Sequence, residues 1–159
     1  MIGEFQESNP FAPLPFLTSE HRGILPRALE KIVRHIKTID RRCSLFGSFF
    51  EVYNEKVYDL LNPKTSVRRE GLELRESKDG GNKIVDLLKF DIRSVDDALQ
   101  CLRVGLKNRI TGCSHANTKS SRSHSIFQLV LIQDDEDNPN QKITSKVILS
   151  DNCTYLWNS

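Results

Sequence analysis

The residues best suited to chemistry lie in Asn117-Thr-Lys-Ser-Ser-Arg-Ser-His124. Ser120, Ser121, Arg122, Ser123 and His124 crowd hydroxyls, a guanidinium and an imidazole into one short stretch. Hydroxyls can ligate Mg²⁺ or orient a water, and arginine offers a planar fork of donors to oxygen anions. The group therefore suits a phosphate and its metal. The apolar run Ile126-Phe-Gln-Leu-Val-Leu-Ile132 that follows predicts a buried strand. A polar loop feeding such a strand places these groups at a sheet edge, where α/β proteins bind ligands. A serine-rich turn with no ligand accounts for the same residues, so both readings stand on the residues alone.

The elements that must position this stretch fit within 159 residues, enough for one domain with a core. A hydrophobic fraction of 38% and a charged fraction of 28% describe a globular chain rather than a disordered one. A net charge of +2 gives no case for nucleic acid. Basic residues do cluster at Lys31, Arg34, Lys37, Arg41 and Arg42, and again at Lys64, Arg68 and Arg69. They are solvated faces or a complement to an acidic protein surface. The four cysteines, Cys43, Cys101, Cys113 and Cys153, form no CxxC pair, and reduced thiols in an intracellular protein are expected. Cys113, His115, His124 and Cys153 match no common zinc spacing. No apolar run reaches the ~18 residues of a membrane span, and Met1-Ile-Gly-Glu-Phe lacks the basic start and apolar core of a targeting signal.

Residues 1–22, with Pro10, Pro13 and Pro15, read as an irregular lead-in. Apolar residues at 25, 28, 29, 32, 33 and 36 predict a helix, with Pro26 harmless in its first turn. Ser44–Tyr53 reads as a strand, Asn54-Glu55-Lys56 as a turn, and Val57–Leu61 as a short apolar segment stopped by Asn62-Pro63. Leu72 and Leu74 suggest an edge strand, Gly80-Gly81 a tight turn, and Ile84–Ile92 one or two further strands. Ser94 is the N-cap of a second helix, with Asp96 and Asp97 in its first turn and Val95, Ala98, Leu99, Leu102 and Leu106 on its apolar face. That helix is expected to end near Lys107-Asn108, followed by a loop over 108–119. Strand 125–132, an acidic connection over Asp134–Asn140 and a paired strand Lys142–Ser150 complete the chain, with Val147-Ile-Leu149 expected to be buried. Alternating helices and strands give an α/β fold.

Taken in order, four motifs resemble the kinesin motor domain. They are Gly23-Ile-Leu-Pro-Arg27, Phe50-Glu-Val-Tyr-Asn-Glu-Lys-Val-Tyr-Asp-Leu-Leu61, Asn108-Arg109, and Asn117-x-x-Ser120-Ser-Arg-Ser-His124, which is similar to the family's switch I. The resemblance covers residues 23–151 and leaves 152–159 as a divergent tail. It implies a P-loop NTPase-like three-layer α/β sandwich with a mixed central sheet, incomplete here. It also implies an ATPase that moves along microtubules in the cytoplasm and cytoskeleton, with ATP and Mg as cofactors and tubulin as partner. Carried over residue by residue, it places Ser120 and Ser121 at the γ-phosphate, Ser121 on Mg²⁺, and Asn117 within the nucleotide pocket. Arg122 closes a salt bridge between switches, and Asp151 stands at the aspartate of D-x-x-G, indirectly at the metal. Arg75, Lys78 and Lys83 resemble the part of the motor that touches acidic tubulin. Phe50, Val52, Tyr53, Leu60 and Leu61 are expected in the core, and Glu51 and Asn54 at the turn with no chemistry.

The chain also departs from the family pattern. No G-x-x-x-x-G-K-[ST] occurs in it, and after Asp151 it reads Asn-Cys-Thr-Tyr-Leu-Trp-Asn-Ser instead of L-A-G-S-E. The resemblance therefore implies a central piece of a motor that is not catalytic by itself. The alternative is a tubulin- or motor-binding piece without nucleotide turnover. A phosphorylated RS-like segment of a nucleic-acid protein would need more than one short cluster beside an apolar strand.

Overall fold

The computed structural model describes residues 23–39, 42–62, 71–77, 81–113, 123–135, 137–138 and 140–151. Its first element is helix α1, Ile24–Lys37. Helical spacing of its apolar residues sends Leu29 and Val33 into the core, with Leu25, Ile32 and Ile36 packed against it. Pro26 lies in the first turn, where amides have no intrahelical acceptor to lose. The helix closes at Thr38, whose amide and hydroxyl both donate to the His35 carbonyl, at 2.9 and 2.7 Å.

Strand β1, Cys43–Tyr53, runs through the sheet and folds back on β2, Lys56–Asp59. Tyr53 pairs with Lys56, so Asn54 and Glu55 alone make the turn, with φ of 50° and 62°. Two left-handed residues define the type I′ turn, whose twist matches that of the strands. The chain then leaves the sheet for an exposed hairpin, β3 (Leu74–Glu76) with β4 (Asn82–Ile84). A bridge from Leu72 to Val57 ties it to β2. Strand β5, Phe90–Asp91, returns to pair with β1 at Phe46 and Gly47.

Helix α2, Val95–Cys113, starts from a reciprocal cap. The Asp97 amide donates to the Ser94 hydroxyl at 3.1 Å, and the Asp97 carboxylate accepts from the Arg93 amide at 3.0 Å. Ala98, Cys101, Leu102 and Leu106 are buried. A Cβ on Gly105 would stand 2.0 Å from Phe49 Cδ1, so glycine lets the helix rest directly on β1. Strand β6, Ser123–Asp134, pairs along all of β1, and β7, Lys142–Asp151, pairs on its far side. The order is β2-β1-β6-β7, with β5 also beside β1, and every ladder among the described residues is antiparallel. Leu45, Phe49, Phe127 and Leu129 alternate onto one face and share a core with both helices. Phe49 and Phe127 lie at the centre of that core, ring centroids 5.4 Å apart.

Several expectations of element bounds and burial need correction. Helix α2 continues to Cys113 rather than ending near Lys107-Asn108, because those residues do not break a helix and Asn108 is held by a tertiary hydrogen bond to the Leu60 carbonyl. Val147 and Ile148 are not buried but 41% and 61% exposed. Among the described residues β7 is the last strand of the sheet, and of its residues Leu149 reaches the core. Most of the Ile84–Ile92 span is irregular, with strand only at its ends. Of the signature residues expected in the core, Phe50, Leu60 and Leu61 are buried, while Val52 and Tyr53 are half-buried.

Candidate functional site

One end of the sheet brings together the last turns of α2, the start of β6 and the β1–β2 hairpin. In the β1–β6 ladder Glu51 lies opposite Ser125 and Tyr53 opposite Ser123. Ser125 in turn lies opposite Asp151 in the β6–β7 ladder. Residues two apart on a strand share a face, so Glu51 stands on the helix-covered side with Leu45 and Phe49. A carboxylate there requires donors, and it has them. The Ser123 hydroxyl donates to Glu51 Oε1, and Arg109 Nε lies 3.8 Å from the same oxygen. Arg109 Nη1 donates to the Ser125 hydroxyl at 2.9 Å. Both charged side chains are largely shielded, at 14% and 12% exposure, and both serines are buried. Asn108 Nδ2 donates to the Leu60 carbonyl at 2.6 Å, pinning the same stretch of α2 to the end of β2. The effect is mechanical and electrostatic. One carboxylate on β1 ties the helix that leads into residues 114–122 to the strand that leads out of them.

A second buried carboxylate supports this frame from the β2 side. Asp59 is 0% exposed and accepts from the amides of Leu61 and Leu88, each at 2.8 Å. Burial pushes its carboxyl above the ordinary value of 3.8, against the opposing pull of its backbone hydrogen bonds. The Ser48 hydroxyl donates to the Leu88 carbonyl at 2.8 Å, so the irregular segment before β5 is fastened to the sheet twice.

Of the residues singled out from sequence, Asn117, Ser120, Ser121, Arg122 and Lys78 lie outside the described residues. Asp151 ends β7, opposite Ser125. Arg75 and Lys83 are directly paired across the β3–β4 hairpin, and both are exposed. Arg75 also bridges Glu73 at 2.9 Å, and that hydrogen bond holds the Glu73 carboxyl below its usual value. Glu51 does not set the hairpin turn as expected, since its carboxylate faces Ser123 and Arg109 instead. The sequence carried the signal. Leu102, Leu106 and Arg109 fall at helical spacing, which puts the arginine on the buried face, and Glu51 alternates in phase with Phe49. Among the described residues no group of three or more His, Cys, Asp or Glu is placed to hold a metal ion. No helix there is long and apolar enough to cross a membrane.

The kinesin motor domain family model matches residues 1–152. This chain belongs to the kinesin motor domain family. Kinesin-like protein KIF20A of Mus musculus is 43% identical over 94 residues, which is 58% of this chain and 11% of that protein. Kinesin-like protein KIF14 of Mus musculus is 36% identical over 143 residues, 84% of this chain and 8% of that protein. Among solved structures, "Structure of a fast kinesin: Implications for ATPase mechanism and interactions with microtubules" aligns with a TM-score of 0.72 at 28% identity. That alignment covers 83% of this chain and 36% of the other. The kinesin chain described here therefore spans only a small part of its relatives. Its fold is the P-loop NTPase-like kinesin fold. The described residues contribute the antiparallel part of its sheet and the two helices that share a core with it.

Proposed function

We propose that this chain is a piece of an ATP-driven microtubule motor and carries the motor's switch I. The observation behind this reading is the Asn117–His124 sequence entering β6 beside the Glu51–Arg109–Ser125 frame, in a chain of the kinesin family. In this reading Ser120 and Ser121 face the γ-phosphate, Ser121 ligates Mg²⁺, Asn117 bonds within the nucleotide pocket, and Asp151 acts on the metal indirectly. Hydroxyl oxygens are hard donors of the kind Mg²⁺ takes, and Arg122 matches developing phosphate charge. When bound, Mg·ATP would supply a γ-phosphate and a metal ion that Ser120, Ser121 and Arg122 would hold. Ser123 and Ser125 are already committed to Glu51 and Arg109, so they hold the frame and leave phosphate contact to their neighbours. The 159 residues contain no G-x-x-x-x-G-K-[ST], and the chain by itself is read as non-catalytic. Its workplace is the microtubule cytoskeleton of the cytoplasm.

A tubulin-binding role without turnover is the second reading. It is favoured by Arg75 and Lys83, exposed side by side on the hairpin, with Lys78 carried on the same segment. Positive charge of this kind suits the acidic tubulin surface.

Equilibrium binding of a fluorescent ATP analogue, with and without Mg²⁺, tests the nucleotide part. Weak, Mg²⁺-dependent binding that disappears in Ser121→Ala is expected, with no phosphate release above background. Binding indifferent to Mg²⁺ and to Ser121→Ala contradicts the site. Turnover that Arg122→Ala abolishes contradicts the non-catalytic part.

A further inference from the structure

We infer that Glu51 is the positioning residue of this motor piece. It sets the spacing between the end of α2 and the first residue of β6, and so the frame on which Ser120, Ser121 and Arg122 are carried. The inference rests on the switch I reading for its consequence, but its geometry lies wholly in described residues. A single carboxylate oxygen receives the Ser123 hydroxyl and faces Arg109 at 3.8 Å. Arg109 also donates to Ser125, the residue opposite Glu51 in the ladder. Helix, outgoing strand and central strand therefore meet at one charge. Nothing else about Glu51 explains its place. It neither sets the turn nor packs as an apolar residue, and it stands in phase with the core side chains of β1.

The frame is selective in what it joins. Arg109 follows Leu106 on the buried face of α2, so the helix cannot rotate without moving its guanidinium off Glu51. Ser123 opens β6, and its hydroxyl is fixed to the same acceptor. Loss of the carboxylate removes the charge that faces Arg109 and the acceptor of the Ser123 hydroxyl at once, and leaves the α2 end and the start of β6 to the Asn108–Leu60 and Arg109–Ser125 bonds and the β1–β6 ladder. A carboxamide at position 51 still accepts from Ser123 but no longer attracts Arg109. Glu51→Gln therefore loses one of these two side-chain contacts and Glu51→Ala both.

Trypsin cleavage of the folded 159-residue chain, followed by mass spectrometry, reads this directly. Lys119 and Arg122 report on the connection, and Arg75 and Lys83 on the exposed hairpin serve as internal controls. Glu51→Ala is expected to speed cleavage after Lys119 and Arg122 at least tenfold, Glu51→Gln less, and neither to change the hairpin sites. Unchanged rates at Lys119 and Arg122 overturn the inference. So does a rise at all four sites in step, which would mark general unfolding; Glu51→Gln repeats that comparison if Glu51→Ala fails to fold. Binding of the fluorescent ATP analogue in parallel separates the two claims. If cleavage changes as expected but wild type binds no analogue, the frame stands and the nucleotide reading falls.

Discussion

A carboxylate that leaves water must be met by donors, and Glu51 and Asp59 are met differently. Glu51 shares its charge with an arginine and a serine from other elements. Asp59 is served by backbone amides at Leu61 and Leu88, and burial holds its carboxyl above 3.8. In Asp59→Asn the amide presents one carbonyl oxygen and one NH₂, so a backbone amide that faces the NH₂ loses its acceptor. A destabilisation of about 1–3 kcal/mol at neutral pH is expected by urea unfolding. The pH dependence follows from the raised pKa. The folded chain binds this proton more tightly than the unfolded one, so the contribution of Asp59 is greatest below 3.8 and falls as pH rises through its folded value. The stability advantage of wild type over Asp59→Asn should therefore shrink as pH rises from 3.8, then level off; an advantage that grows over that interval would contradict the assignment.

Among the elements, the β1–β2 hairpin carries the clearest local strain. Glu55 sits at φ 62°, a region that costs a side-chain-bearing residue roughly 1–2 kcal/mol. Glu55→Gly restores the favoured Asn-Gly pair of a type I′ turn and should stabilise the chain by about 0.5–1 kcal/mol once glycine's greater unfolded freedom is deducted. A lower melting temperature in that variant would show that the turn is not the one described. The same hairpin shows what sequence does and does not reveal. Asn54-Glu55 marked a turn by composition, and the 25-to-36 spacing marked α1, because both signals are local. The end of α2 was misplaced because Asn108 is held by the Leu60 carbonyl, a residue 48 positions away. Burial of Val147-Ile-Leu149 was overestimated because an apolar triplet cannot say whether its strand is central or outermost. The reading of Ser120–Arg122 as a phosphate and metal loop comes from residue type and order, and those residues lie outside the described ones. The Glu51–Arg109 frame required two periodicities, of strand and helix, to be read against each other.

At the scale of the molecule, an antiparallel sheet and two helices present two different surfaces. At one end lies the buried Glu51–Arg109–Ser123–Ser125 frame. Elsewhere the β3–β4 hairpin, tied to β2 by the Val57–Leu72 bridge, offers Arg75 and Lys83 to solvent. In the proposed reading the first surface serves nucleotide and the second an acidic track. Contacts through exposed charges are screened by salt over about 10 Å at 0.1 M, so the track binding proposed for the hairpin is expected to weaken as ionic strength rises. The most direct measurement is co-sedimentation of the 159-residue chain with polymerised tubulin across a salt series, after circular dichroism has confirmed that it is folded. Wild type is expected to pellet with microtubules at low salt, and Arg75→Glu with Lys83→Glu to cut that binding at least tenfold. A folded wild-type chain that stays in the supernatant at every salt concentration would contradict the account.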